Sequence, residues 1–520
     1  MSQTLSSTVS PGPRIRVTGE ATGFIPVGDR SPITVIGTDA IRDGFDDVCI
    51  QQAINSRLAP GVTQLVLNPD AHRGYGAPVG CTMVSPTHIY PGPIGVDIKC
   101  SMSLLQLDIP ADAIADRSTR RALIDAIGER IPTGAGCGQR HAKKSRKVEI
   151  ALGSNALVNG ASAEVCAALG IPPEWASRCE DHAHVGHDNT HDALSRRLEV
   201  LLRDEVFGDF KEKITQLRSY GGGNHFGECE IVRLPQDNGD PTLTPSVSAA
   251  NARIDGATSV ANTFGLKDNH VAFLSHCGSR GVGHRLAAGQ FRTLQRHFAE
   301  WSIPLPGNDK ELVYAPLGTA EADAYLDDMA IGANFATVNH MLINALVLEA
   351  FQQVLPGATG RLVYFISHNI ARREVVDDAL AWVHRKGATR AFPANHPALK
   401  STPFEATGHP ILLPGNPRDG SMVMVANAGA QKSCYSVNHG AGRRMGRRDA
   451  ARRLDQKAID AEMAAHDIMS NCRTYPIDEA PDAYKDFAEV LRSVELAGLA
   501  RPVAKLQATF VIKDGDKADD

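Results

Sequence analysis

No stretch of about 18 apolar residues occurs anywhere in the 520-residue chain, so no membrane-spanning segment is expected. The opening Met1-Ser2-Gln3-Thr4-Leu5-Ser6 lacks the basic-then-apolar order of a secretory signal. The ten cysteines include no CxxC pair, which excludes a four-cysteine zinc finger. Their sparse spacing does not make a disulfide framework either, and free thiols in a reducing cytoplasm are expected. Basic residues are not in excess: 54 Lys and Arg face 59 Asp and Glu, a net charge of -5. That balance excludes a protein that coats nucleic acid with a wholly basic surface, while a local basic groove remains open.

What is present is the composition of an ordinary globular chain with a substantial core, 42% hydrophobic and 22% charged. The length would suit about two to four domains. No internal repeat and no long low-complexity linker divides the chain, however, so one composite catalytic domain is expected over residues 14–515, with an insertion around 138–215. Residues 1–13, rich in Ser, Thr and Pro, read as a flexible leader, and 516–520 as a tail. A strand over 33–36, a helix over 40–58 and a strand over 64–67 are predicted. The strand should end in the polar, glycine-studded loop Asn68-Pro69-Asp70-Ala71-His72-Arg73-Gly74-Tyr75-Gly76. Amphipathic helices are predicted over 193–213 and 326–355, the latter from one apolar face through Phe335, Val338, Leu342, Leu346 and Ala350. The insertion opens on a basic patch of Arg140, Lys143, Lys144, Arg146 and Lys147.

Several short constellations carry chemistry. Asp97 and Cys100 lie three apart, so a carboxylate and a thiolate can face one centre; the alternative is a helix-capping aspartate beside a buried cysteine. His276 and His368 each sit just past an apolar, β-prone run, and His225 follows a glycine turn. Imidazoles with a thiolate and one carboxylate suit Zn, Fe, Co or Mn and not Mg, and this ligand chemistry by itself leads to zinc. His439, in Asn438-His439-Gly440-Ala441-Gly442-Arg443, has small residues beside it that let a nucleotide approach the backbone. A histidine nitrogen there can take a phosphoryl group covalently; a plain glycine turn is the alternative. Arg443, Arg444, Arg447, Arg448, Arg452 and Arg453 follow, with Arg444, Arg448 and Arg452 spaced for one helix face and for phosphate recognition, or for a solvated surface. The group His182, His184, His187 and His191 lies in a polar stretch without a flanking strand and reads as a mobile loop rather than a metal site.

Taken together, Pro69 to Gly76, Gly95-Val96-Asp97-Ile98-Lys99-Cys100, Gly223-Asn224-His225-Phe226, the segment from His276 to His284, the segment from His384 to Pro393, and His439-Gly440-Ala441-Gly442-Arg443 resemble the signature set of the RtcB-type RNA-splicing ligases, in family order over roughly residues 30–515. The resemblance implies an α+β fold with mixed β-sheets around a central metal-containing cleft flanked by helices. It implies an enzyme that joins an RNA 3′-phosphate or 2′,3′-cyclic phosphate to a 5′-hydroxyl, with GTP and two Mn2+ ions, in tRNA splicing or RNA repair. Asp97, Cys100 and His225 would hold one manganese; Cys100, His276 and His368 the other. His439 would be guanylylated.

By the same resemblance, Asn224 and Asn369 would meet phosphate or the metal-bound oxygens, Glu228 and Lys513 the guanine, Ala441 and Gly442 would pass under the ribose, and Gly440 would join the nucleotide site. Asp70, Arg280, Lys386, Arg443 and Arg447 would line the path of the RNA ends. The family's guanosine-pocket serine is replaced by Asn416, whereas Ser421 aligns with the second one. This altered 414–421 loop keeps open a paralogue that guanylylates or hydrolyses 3′-ends without sealing, and the ligands alone would also allow a dinuclear metal hydrolase. RNA, as tRNA halves or cleaved RNA, is the implied partner, and the need for an archease-type activator stays open.

Overall fold

Extended segments, alternating in burial over Thr22–Val27 and buried almost continuously in His270–Cys277 and Gly420–Ala426, pair into two large sheets. The computed structural model describes residues 15–136, 148–203, 209–235 and 250–515. The leader, the basic patch from Arg140 to Lys147 and the tail lie outside these residues. The first sheet has seven strands in the order Arg16–Gly19, Thr22–Val27, Arg30–Ile36, Gln64–Tyr75, Ala77–Ser85, Ala379–Lys386 and Asn369–Val376. The second is antiparallel along Gly360–Ser367, Ser101–Pro110, His270–Cys277, Phe226–Arg233, Ala500–Lys513, Gly420–Ala426 and Pro410–Asn416. The short strand Met469–Ser470 adds to it in parallel beside Ala500–Lys513. This is the expected α+β architecture of mixed sheets flanked by helices.

The chain passes from the edge of one sheet to the edge of the other at His368, the single residue between Gly360–Ser367 and Asn369–Val376. The crossing is stitched to the loop before Ser101: His368 N–H donates to Cys100 O at 2.8 Å and Lys99 N–H to Asn369 O at 2.6 Å. The cleft between the sheets therefore opens where several predicted ligands enter or leave strands.

The helix Ala320–Val354 closes the back of the second sheet. Thr319 caps its N-terminus by accepting from Ala322 N–H. By length and composition this helix could cross a membrane, but 94% of its most apolar stretch is buried inside the protein. It is buried on all sides rather than on one face. Its polar residues Asn334, Thr337, Asn339, His340 and Asn344 are fully enclosed, and each is hydrogen-bonded, as buried polar groups must be. The described helices between residues 148 and 215, Ile150–Asn159, Ala163–Leu169, His191–Leu201 and Phe210–Ile214, pack into the same core; Leu157, Leu194 and Phe210 join Val338 and Leu346.

Three local expectations change. The helix over 40–58 is two, Asp39–Asp43 and Asp47–Leu58, because Gly44 ends the first and Asp46 caps the second by accepting from Cys49 N–H at 2.7 Å. The helix over 193–213 likewise divides into His191–Leu201 and Phe210–Ile214. The stretch read as a loop after Leu67 is strand: Gln64–Tyr75 continues through it, with a break in the ladder between Leu67 and His72 that tolerates Pro69. Polar residues here mark a buried functional strand and not a surface turn.

Candidate metal centre and nucleotide cleft

Register brings the ligands to one end of the second sheet. Ser101 pairs with Cys277 on one side and with Ser367 on the other, so Cys100 and His368 leave adjacent strands at the same level. His276 pairs with Met102 and with Phe226, which places His225 one residue beyond that pairing. His276 lies inside its strand, not past its end. Gly278 is required next: a Cβ there would overlap the Asp97 carboxylate.

The side chains converge. Cys100 Sγ lies 3.5 Å from His225 Nε2 and 3.1 Å from His276 Nε2, and His276 Nε2 lies 3.2 Å from His368 Nε2. His225 Nε2 is 2.8 Å from Asp97 Oδ2. The other oxygen of Asp97 accepts from Ser279 N–H at 2.9 Å and from its hydroxyl at 3.2 Å. His225 Nδ1 faces Tyr220 O at 2.8 Å and His276 Nδ1 faces Asn224 O at 2.9 Å. A carbonyl can only accept, so both Nδ1 atoms carry the proton and both Nε2 lone pairs point at the thiol and at each other's surroundings.

Lone pairs facing a carboxylate and a sulfur need a cation between them. Among the described residues, Cys100, His225 and His276 form the group whose ligand atoms all lie within 4.8 Å of one another. His368 turns its Nε2 to this group, and its buried Nδ1 has no hydrogen-bond partner to fix the tautomer as the carbonyls do for His225 and His276. The residues thus fit metal, with Cys100 shared between an Asp97–His225 side and a His276–His368 side.

Electrostatics agrees. Burial pushes the Cys100 thiol well above its ordinary range and Asp97 adds to this, so without a cation it keeps its proton. Burial works to raise Asp97, and a proton on His225 Nε2 would more than reverse it and keep the carboxylate ionised; a metal ion in that proton's place would do the same. Burial lowers His276 and His368 far below the usual histidine range, and neighbouring imidazoles lower them further, leaving both neutral and ready to bind metal.

Across the cleft, the ring of His439 stands 4.7 Å from that of His368. Its Nδ1 is 2.7 Å from Asp70 Oδ2, which also accepts the His439 backbone N–H at 3.1 Å. Asp70, expected along the path of the RNA ends, is instead fully enclosed behind the histidine. The pairing leaves His439 Nε2 free. Gly442, at φ +73°, packs against Asp70 where a Cβ would overlap its backbone.

One cavity of about 280 Å³ joins Asp97, Cys100, His276 and His368 to the rest of the cleft; His225 does not line it. Its walls include Asn224, Glu228, Asn369, Asn416, Ser421, Gly440, Ala441, Gly442 and Lys513, with Lys386, Arg443 and Arg447 beside them. Asn369 spans the floor, donating to Asp97 O at 3.3 Å and accepting from Gly387 N–H at 2.9 Å. Burial raises the Glu228 carboxyl to about 7.

Arg280 does not line this cavity; its guanidinium donates to Ser219 Oγ and Gly134 O. The amide of Asn416 is spent within its own turn, donating to Asp419 Oδ2 at 2.6 Å and accepting from Asp419 N–H at 3.1 Å. Arg418 then fastens this turn to Glu462 Oε1 at 3.1 Å and Asp482 Oδ1 at 3.3 Å.

Other motifs have structural roles. The arginine helix starts only at Arg447, after Gly446, so Arg444 is not on one face with Arg448 and Arg452; it donates to Asp482 O at 2.8 Å. His384 accepts from Tyr90 N–H at 3.0 Å inside the core. The four histidines read as a mobile loop are in part tied down. His184 contacts Lys99 and Arg372, His187 pairs with Asp327, and His191 donates to Val158 O.

Sequence reading missed Glu479, a buried carboxylate on the cavity wall. It meets Arg443 at 3.1 Å, Arg447 at 2.7 Å, Lys513 at 2.8 Å and the Tyr484 hydroxyl at 2.7 Å. It also missed the aromatic walls Phe226 and Tyr475. Nothing in the local pattern around Tyr475 to Pro481 singles out Tyr475 or Glu479, whereas Phe226 closes the Gly223-Asn224-His225-Phe226 string, which could have pointed to it.

Comparison with known proteins yields a consistent set. A family model described as the tRNA-splicing ligase RtcB matches residues 52–514. A tRNA-splicing ligase RtcB of Nanoarchaeum equitans is 30% identical over 93% of this chain and 95% of its own length. That of Thermococcus kodakarensis is also 30% identical, with the same coverage of each. An RNA-splicing ligase RtcB of Mycobacterium tuberculosis is 30% identical over 89% of this chain and 100% of its own.

Proposed function

Because the chain belongs to the RtcB family of tRNA-splicing ligases, we propose that it seals RNA by joining a 3′-phosphate or 2′,3′-cyclic phosphate end to a 5′-hydroxyl, with GTP and Mn2+. The observation that carries this is His439, held by Asp70 at 2.7 Å through Nδ1, on the wall of a cavity that Asp97, Cys100, His276 and His368 also line.

In this scheme Asp70 fixes the tautomer of His439, so that Nε2 attacks the α-phosphorus of GTP; an N–P bond forms and pyrophosphate leaves. The guanylate then passes to an oxygen of the RNA 3′-phosphate as the N–P bond breaks. The 5′-hydroxyl attacks the activated 3′-phosphorus, GMP departs, and the phosphodiester is complete. A cyclic end is opened to a 3′-phosphate first. Asp97, Cys100 and His225 would hold one manganese and Cys100, His276 and His368 the other. Bound there, the ions would neutralise phosphate charge and orient the reacting groups.

The residues of the cleft supply the rest. Phe226 and Tyr475 offer apolar walls for a base, and Glu228 and Lys513 bring a carboxyl and an ammonium to the same end. Arg443, Arg447 and Lys386 offer cations for the RNA ends. A guanylylating or end-hydrolysing paralogue is the second reading, supported by the self-satisfied Asn416–Asp419 turn in place of a serine pocket.

The deciding experiment is covalent labelling with α-labelled GTP and Mn2+, wild type against His439→Ala, followed by joining of a 3′-phosphate RNA to a 5′-hydroxyl RNA. Acid-labile label and joined product on the wild type alone are expected. Label without product would favour the paralogue, and no label in folded, metal-loaded protein would remove the ligase reading.

A further inference from the structure

Behind the nucleophile lies a buried ammonium that the reaction scheme does not use. Lys485 follows the turn Pro481–Ala483 and precedes the helix Phe487–Leu496, and it is 8% exposed. Its Nζ donates to Pro69 O at 2.9 Å and to Ala71 O at 2.7 Å, the carbonyls on either side of Asp70. Its own backbone N–H donates to Gly442 O at 2.9 Å, in the loop that carries His439. The ring of Phe45 faces the ammonium at 4.6 Å. One residue thus ties the strand bearing Asp70 to the loop bearing His439.

The arrangement is costly, which argues that it serves something. A buried cation ending on neutral carbonyls pays desolvation without an ion pair in contact. Burial brings its pKa down to about 8, and Asp70 is the foremost charge acting the other way. Pro69 and Ala71 also fall where the ladder to the neighbouring strand is interrupted, between Leu67 and His72. There the lysine does for the carbonyls what a partner strand does elsewhere.

We infer that Lys485 is the positioning residue of the nucleophile: by gripping Pro69, Ala71 and Gly442 it sets the Asp70 carboxylate against His439 Nδ1 and keeps Nε2 turned to the cleft. This deepens the reading of His439 as the nucleophile and rests on it.

The test uses the full-length protein with Lys485→Met, Lys485→Gln, Asp70→Asn and the Lys485→Met/Asp70→Asn double variant. Two rates are read. One is carbethoxylation of His439 by diethyl pyrocarbonate in metal-free protein, followed by peptide mass spectrometry; the other is labelling of His439 from α-labelled GTP with Mn2+. Lys485→Met is expected to slow labelling from GTP by roughly 10- to 100-fold, the cost of a misplaced reacting group, and to slow carbethoxylation severalfold, as Nε2 turns away from the open cleft. GTP affinity and metal content should stay within about twofold, and the double variant should be no slower than Asp70→Asn alone, because both changes break one chain of contacts.

Losses that multiply in the double variant would overturn the proposal, as would a His439 in folded Lys485→Met as reactive as the wild type's. Lys485→Gln keeps one donor and should fall between, and it carries the comparison if the methionine variant does not fold. If carbethoxylation follows the expected order but GTP labels nothing, the positioning role stands and the ligase reading falls.

Discussion

Changing Glu479 to Gln removes one charge and almost no volume from the cavity wall, and the cost can be worked out. Burial alone would push this carboxyl up, but Lys513, then Arg447 and Arg443, more than reverse that and hold it at about 2 against the ordinary 4.5. At roughly 1.4 kcal/mol per tenfold change in ionisation, the ionised form gains on the order of 3 kcal/mol from folding. Because the folded pKa is depressed, this stability is fully present above about pH 4.5 and is lost as pH falls toward 2. For a chain of 520 residues the unfolding entropy is on the order of 1.1 kcal/mol per degree, so Glu479→Gln should lower Tm by about 3 °C at pH 7. Thermal melts of wild type and variant between about pH 7 and 3.5 should show that gap shrinking on acidification. A gap under about 1 °C at pH 7, or one that widens as pH falls, would refute the view of Glu479 as the charge that gathers these three cations.

Metal content should separate the two sides of the candidate centre. Cys100→Ser, altering the residue common to both, is expected to lose nearly all metal by elemental analysis, whereas His225→Ala keeps the His276–His368 side and about half. Manganese at about 100 times its Kd should stabilise the wild type by roughly 2.7 kcal/mol and leave Cys100→Ser unmoved in the same melts. Binding should also release protons, seen as buffer-dependent calorimetric heats, since burial keeps the Cys100 thiol protonated until a cation arrives. In the 414–421 loop, Asn416→Ser should leave the KM for GTP within about twofold, because its amide is already spent on Asp419. Arg418→Ala should raise that KM severalfold with metal content intact, because it frees the turn from Glu462 and Asp482; equal effects of the two variants would contradict this division.

Much of the candidate site is legible in the chain because its residues sit in recognisable strings. Asp97 and Cys100 share one short loop, and His276 and His368 close apolar runs whose β-propensity comes from local composition. Elements that depend on partners far away are not. The strand through Asn68–Tyr75 reads as a loop because its polar residues Asn68 and Asp70 are buried against distant parts of the chain, which local sequence does not reveal. The buried helix Ala320–Val354 shows one apolar face in sequence, yet its polar faces are enclosed because Ser101, Ser103, Leu157 and Ser219 supply the hydrogen bonds. Asp70 is visible as a polar residue in a conspicuous string, but its place behind His439 arises only when two segments 369 residues apart meet.

The sequence by itself determined the family, the candidate ligand types and the nucleophile candidate, since these are carried by residue identity and short spacing. Tertiary structure alone decided which nitrogens of His225 and His276 hold protons, that Asp70 stands behind His439, and that Glu479 and Lys485 lie at the candidate site. Those facts rest on burial and on contacts between distant strands and turns. Hydrogen-bond direction and desolvation are properties of a place in the fold, and no local pattern of residues encodes them.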